Sequence, residues 1–218
     1  DNYRQYNSFK FYFIGELTSR KNLTNLLIAF HREFRPYELV DLVLKVNMVG
    51  HSKETVQQVL ANQIAEVKST MGLYDKLEHY INEHIIIDYL PTEQLYALHQ
   101  SCDCFVTASN GESFCIPAFD AMAFGNYVLV NKNSGMSDYI DRQDRYYGVE
   151  SSPECCFCNN RPINDVYTSR DYWWRINPMD LGKHMRQVFE SGKNSKGSSD
   201  IDRYSYEAVA EQFNEVLA

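Results

Sequence analysis

Apolar positions along the chain alternate between short, nearly continuous runs and longer stretches in which they recur every three or four residues. Phe9-Lys10-Phe11-Tyr12-Phe13-Ile14 runs into Gly15, the form of a buried strand that stops at a tight turn. Leu23, Leu26, Leu27, Phe30 and Phe34 follow at helical spacing and predict a helix over residues 21–34 with one apolar face. The sequence from Leu42 to Val49 is again a near-continuous apolar run closed by Gly50. Val56, Val59, Leu60, Ile64 and Val67 then set a helical period over 53–71. Ile85-Ile86-Ile87 predicts a third strand, and Pro91-Thr92-Glu93 opens a short helix carrying Leu95 and Leu98. Cys102 to Ala108 predicts a fourth strand, a helix reaches about Phe124 with Gly125 at its end, and Tyr127-Val128-Leu129-Val130 predicts a fifth.

Strands that are apolar on both faces and alternate with amphipathic helices over residues 9–140 predict an α/β fold, a Rossmann-like parallel sheet with helices on both faces. Ligands of such sheets bind at the carboxyl ends of the strands. From 141 to 176 the pattern dissolves into polar and aromatic residues, including Tyr146-Tyr147 and Trp173-Trp174, and reads as an irregular insert. A helix over 179–190, a loop over 192–200 and a closing helix over 204–217 complete a single domain.

The chain has 218 residues, 44% of them apolar, enough for a substantial core. Its 29 acidic and 21 basic residues leave a net charge of −8, which disfavours nucleic acid or an anionic membrane as a partner of the whole chain. Any phosphate it holds must meet a local cationic site. Apolar runs such as Leu39 to Leu44 are far shorter than the roughly 20 residues of a transmembrane helix. The opening Asp-Asn-Tyr-Arg-Gln lacks the apolar core of a secretory signal and reads as a cut into a longer polypeptide. Six cysteines, at 102, 104, 115, 155, 156 and 158, are expected as thiols in the cytoplasm. The cluster Glu154-Cys155-Cys156-Phe157-Cys158 lacks zinc-site spacing, so no metal is expected. The six histidines show no spacing to a nucleophile and read as structural or surface residues. Asn22-Leu23-Thr24, at a helix start, is a chance glycosylation sequon.

The densest chemistry lies in Glu112-Ser113-Phe114-Cys115-Ile116-Pro117-Ala118-Phe119-Asp120, between the fourth strand and the next helix. A helix starting near Phe114 leaves Glu112 in the loop and puts Asp120 about two turns in. The amides between them, at a helix N-terminus, suit a pyrophosphate, while carboxylates can accept hydrogen bonds from sugar and ribose hydroxyls. This stretch resembles the E-x7-E signature of retaining GT-B glycosyltransferases, family 4 in particular, with Asp120 in place of the second Glu. The resemblance implies that Glu112 contacts the donor sugar, that Ser113, Phe114 and Cys115 offer amides to the diphosphate, and that Asp120 binds the ribose. It departs from the family at Cys115, where Gly is usual, and at Asp120, one methylene shorter than Glu.

Phe13-Ile14-Gly15-Glu16-Leu17-Thr18-Ser19-Arg20-Lys21 resembles the family's strand-Gly-turn-Lys element, which implies that Arg20 and Lys21 meet the diphosphate. Glu16 stands where many members carry Arg; either Arg20 substitutes for that cation or Glu16 has another part, such as holding a neighbouring residue. Asp88, Tyr89, Leu90 and Leu95 resemble the segment lining the base pocket. Ser134-Gly135-Met136-Ser137-Asp138 resembles the family's glycine loop, and Arg203-Tyr204-Ser205-Tyr206 its entry into the C-terminal helix.

The resemblance spans residues 9–217 and implies one half of a GT-B architecture, the donor-binding half, without its N-terminal acceptor-binding domain. The implied reaction is retaining transfer of a sugar from a nucleotide-diphosphate donor to an acceptor hydroxyl, with no cofactor and no essential metal. Rival readings are a non-catalytic binding or scaffold module of the same fold, and a metal-dependent transferase using Asp200-Ile201-Asp202, which lacks a preceding strand. A dinucleotide oxidoreductase is disfavoured because no G-x-G-x-x-G follows the first strand. Trp173 and Trp174 read as one core and one interface residue rather than a sugar platform.

Overall fold

The computed structural model describes residues 8–140, 146–156, 167–192 and 201–217. The Asp200-Ile201-Asp202 motif and the cysteine cluster therefore lie partly outside the described residues, at Asp200 and at Phe157-Cys158. Phe9–Glu16 (β1), Leu23–Glu33 (α1), Val40–Asn47 (β2), Lys53–Met71 (α2), Glu83–Ile86 (β3), Thr92–Ser101 (α3), Cys104–Val106 (β4), Ile116–Ala123 (α4) and Tyr127–Asn131 (β5) reproduce the alternation read from the sequence. They are followed by Tyr146–Val149 (β6), Ser151–Cys155 (β7), Tyr172–Ile176 (β8), Pro178–Ser191 (α5) and Tyr206–Leu217 (α6).

Six strands form one parallel sheet in the order β3-β2-β1-β4-β5-β6. Side chains alternate across a strand, and both faces are apolar here. Phe11 and Phe13 of β1, Cys104 and Val106 of β4 and Leu129 of β5 join one core with α1, α2 and α5. Tyr12, Phe105, Val128 and Val130 from the same strands join a second core with α3 and α4. Two buried faces explain why the strands read as continuous rather than alternating runs.

The stretch 141–176 is not wholly irregular. β6 extends the parallel sheet beside β5, and β7 pairs antiparallel with β8 from Ser151↔Ile176 to Cys155↔Tyr172. Trp173 is buried and Trp174 half-buried.

The helix termini follow the local sequence. Ser52 caps α2 by accepting the Thr55 N–H and Gly72 closes it in the left-handed region, while Asn177 caps α5 ahead of Pro178. α6 buries no residue.

Candidate functional site

The sheet order places β1 beside β4, so successive crossovers leave in opposite directions from this pair and open a crevice at their carboxyl ends. Two loops meet there, residues 17–22 after β1 and residues 107–115 after β4. They are laced by Asn110, whose N–H donates to the Arg20 carbonyl at 2.8 Å and whose Oδ1 accepts from Asn22 Nδ2 at 3.1 Å. A short 3₁₀ turn over Ser19–Lys21 then presents its two cations across the crevice.

Those cations meet Glu112. Its Oε1 lies 2.7 Å from Lys21 Nζ and 3.0 Å from Arg20 Nη1, and it accepts a 2.7 Å hydrogen bond from Ser109 Oγ. The Glu112 side chain is 8% exposed, against 14% for Lys21 and 29% for Arg20. Burial works to raise the Glu112 pKa, but Lys21, Ser109 and Arg20 outweigh it and hold the carboxyl below its ordinary value. The backbone of Glu112 is pinned as well. Its N–H donates to Ser134 Oγ at 2.8 Å, and its carbonyl accepts from Ser134 Oγ and from the Gly135 N–H at 3.0 Å. A Cβ on Gly135 would sit 1.9 Å from the Ser113 carbonyl oxygen, so only glycine fits this approach.

Beyond Glu112 the chain turns into α4. The helix begins at Ile116 rather than near Phe114, because Cys115 adopts the left-handed region, φ 60° and ψ 69°. This is the position at which glycine is expected from the family resemblance. Among the described residues, the N–H groups of Ser113, Phe114, Cys115 and Ile116 find no hydrogen-bond acceptor. A left-handed residue at a helix start gathers consecutive N–H groups into an anion-binding concavity. Burial and the nearby Glu112 carboxylate push the Cys115 thiol up to about 11. It is therefore a neutral packing group.

Asp120 is the fifth residue of α4, just over one turn in rather than two. It is half-buried, burial raises its pKa, and its carboxylate has no hydrogen-bond or ion-pair partner among the described residues. Glu16 accepts a 3.2 Å hydrogen bond from the Val49 N–H, so it holds the loop after β2, and Arg20 reaches Glu112 from the turn instead. Asp88, Tyr89, Leu90 and Leu95 follow β3, three strand spacings or about 14 Å from β4. Asp88 pairs with Lys53 on the surface, Tyr89 is 86% exposed, and Leu90 packs on the second core. No hydrogen bond or ion pair among the described residues links them to Glu112.

Ser109, Ser134, Gly135, Asn131 and Tyr139 were not read as site residues from the sequence. The fully buried Asn131, at the end of β5, donates to the Ser109 and Trp174 carbonyls and accepts from Ser151 Oγ. The β7–β8 ribbon is thus tied to the loop that carries Glu112. Another concavity, about 480 Å³, lies at the opposite, amino ends of β1 and β2. It is lined by Glu38, Asp41, Glu78, His79 and His84, a charge balance that suits a phosphate poorly.

No group of three or more His, Cys, Asp or Glu among the described residues could hold a metal ion, and no described helix is long and apolar enough to cross a membrane.

Fold and site together define a doubly wound α/β domain with a cationic, amide-lined crevice at its switch point. Residues 3–154 match the family of glycosyl transferases group 1, and the chain belongs to it. The lipopolysaccharide 1,2-N-acetylglucosaminetransferase of Salmonella typhimurium is 28% identical over 127 residues, 57% of this chain and 28% of that protein. The chain thus matches little more than a quarter of that relative's length. Among solved structures, the C-terminal domain of the group 1 family protein LpcC from Francisella tularensis is 15% identical, with a TM-score of 0.59 over 98% of this chain and 93% of that one. HepE of Anabaena, solved with UDP and glucose, is 14% identical, with a TM-score of 0.61 over 97% of this chain and 48% of that one. These structures share the fold, which is the Rossmann-like half of a GT-B architecture.

Proposed function

We propose that this chain is the donor-binding domain of a retaining glycosyltransferase and receives a nucleotide-diphosphate sugar at the carboxyl ends of β1 and β4. The observation that carries the reading is the pairing of Arg20 and Lys21 with the buried Glu112 carboxylate, directly ahead of four amides, Ser113 to Ile116, that have no acceptor among the described residues. A leaving nucleoside diphosphate gains negative charge as the sugar–oxygen bond breaks. Two fixed cations and a row of amides can stabilise that charge without a metal ion. In this reading Arg20, Lys21 and the amides of Ser113, Phe114 and Cys115 hold the diphosphate. Glu112 faces the donor sugar, the half-buried Asp120 accepts from ribose hydroxyls, and Asp88, Tyr89, Leu90 and Leu95 border the base. HepE, a protein of the same fold, was solved with UDP and glucose, and the Salmonella relative is named as an N-acetylglucosaminyltransferase. The acceptor would be bound by an N-terminal domain of the same cytoplasmic enzyme.

Glu112 pairs with both cations, so a diphosphate must share or displace that pairing. The test is calorimetric titration of the chain with UDP, GDP and ADP in the presence of a chelator, repeated with Lys21→Ala. Metal-free binding of one diphosphate, weakened about tenfold or more by losing a charged contact, is expected. Binding of none of the three, or binding indifferent to Lys21→Ala, refutes the reading.

A further inference from the structure

Tyr139 has no part in the family resemblance, yet it touches the loop at its most constrained point. It is 2% exposed, packed against the rings of Phe114 and Phe119 with centroids 5.0 and 5.6 Å away. Its hydroxyl donates to the Phe114 carbonyl and lies 3.2 Å from the Cys115 carbonyl. The Cys115 carbonyl also accepts from the N–H groups of Ala118 and Phe119, whereas the Phe114 carbonyl has Tyr139 as its one partner among the described residues.

Trans peptide units are planar, with C=O and N–H on opposite sides, and the described chain contains no cis bond. Anchoring the Phe114 carbonyl on one side therefore aims the Cys115 N–H to the other. Anchoring the Cys115 carbonyl does the same for the Ile116 N–H. These are two of the four amides that lack an acceptor. Between the two units sits Cys115, held at φ 60°, a region that a residue with a Cβ enters only when its surroundings impose it. The segment that supplies Tyr139 is fastened to the same loop at its other end, where Ser134 and Gly135 bond Glu112. Residues 134–139 thus splint 112–115 from both sides.

We propose that Tyr139 is a positioning residue for the anion-binding loop, its hydroxyl fixing the left-handed turn at Cys115 so that the Cys115 and Ile116 amides face the diphosphate. This rests on the donor-site reading. It assigns to a buried phenol the task that glycine performs by having no side chain.

Tyr139→Phe keeps the ring and its packing and removes only the donor. The ligand arm measures affinity for UDP, GDP and ADP by calorimetry and for the matching nucleosides by ligand-observed NMR. The bound diphosphate is expected to weaken about fivefold to thirtyfold, the scale of a misdirected hydrogen-bond pair, with its nucleoside unaffected. Equal losses for nucleoside and diphosphate would show a merely structural role and overturn the proposal. The second arm needs no ligand: thermal unfolding of wild type, Tyr139→Phe, Cys115→Gly and the double variant. Glycine at 115 makes the hydroxyl redundant, so the Tm lost through Tyr139→Phe should fall by at least half in the Cys115→Gly background. Additive Tm shifts overturn the clamp. Failure of the wild-type chain to bind any of the three diphosphates removes the donor-site reading instead.

Discussion

In the proposed donor site, replacing Glu112 with Gln is expected to separate holding the donor from reacting it. The substitution preserves shape and one carbonyl acceptor for Ser109 or Lys21, and removes the charge that faces Lys21 at 2.7 Å and Arg20 at 3.0 Å. Breaking a fully buried ion pair costs about 3–5 kcal/mol, and an exposed one about 0–1 kcal/mol. Glu112 is buried but Arg20 is nearly a third exposed, so a cost of about 2 kcal/mol is expected, or roughly 4–8 °C in Tm for a chain of this size. Lys21, and Arg20 while still donating to the Gly111 carbonyl, then face a phosphate without a competing carboxylate. One negative charge removed about 6 Å from a phosphate, at an effective dielectric of about 40, is worth roughly 1.4 kcal/mol. UDP, if it is the nucleotide bound, should therefore bind about tenfold more tightly, while transfer by the intact protein falls on the order of a hundredfold or more as electrostatic support of the donor sugar is lost. The assays are differential scanning calorimetry, isothermal titration and a radiolabelled-sugar transfer assay. Weaker UDP binding would mean that Glu112 anchors the nucleotide rather than balancing its cations, and near-normal turnover would remove it from the chemistry.

Gly135→Ala drives a Cβ to 1.9 Å from the Ser113 carbonyl oxygen and 2.9 Å from that of Glu112. Backbone cannot yield as a flexible side chain does, so a loss of about 3 kcal/mol is expected, at the upper end for overpacking; a Tm within 1 °C of wild type would contradict the close approach. Asp120 titrates above its ordinary value because burial disfavours its ionised form. Its ionisation therefore opposes folding above the raised folded-state pKa, and the penalty disappears as pH falls below the unfolded value. Asp120→Asn should raise Tm at pH 7 and lose that gain in acid, with thermal melts across pH as the check. If Asp120 accepts from the ribose, the wild type's bound nucleotide weakens as pH falls through the raised pKa, and a matching fall in Asp120→Asn would refute that role. Glu112 has the opposite sign: its paired carboxylate stabilises the fold above the unfolded pKa and ceases to do so as pH falls through its lowered folded value.

β1, β2, β4 and β5 were legible because they are covered on both faces, whereas the edge strand β3, with Ile85 41% exposed, shows only as the short run Ile85-Ile86-Ile87. Phe11 to Ile14 and Leu42 to Leu44 then read as unbroken apolar runs, and the helices between the strands keep one apolar face. β6 to β8 were not, because Ser151-Ser152-Pro153 carries neither alternation nor a continuous run, and its partner strand lies some twenty residues on, with register set by tertiary packing. The site divides along the same line. Arg20 and Lys21 precede Glu112 by some ninety residues, so no spacing rule joins them; a family likeness named both loops, and only the β1–β4 adjacency gives them an electrostatic reason to meet. Ser134, Gly135 and Tyr139 act on backbone atoms of Glu112, Ser113, Phe114 and Cys115; Gly135 alone marks its contact in residue type, and even a required glycine does not say which backbone it approaches. The departure at Cys115 nevertheless had a physical content that the sequence stated without resolving. A cysteine where glycine is expected requires either a different backbone or a restraint strong enough to impose the same one. The left-handed φ at Cys115 and the phenol beside it favour the restraint, and a departure that reads as loss of function is thereby compatible with a preserved anion-binding turn.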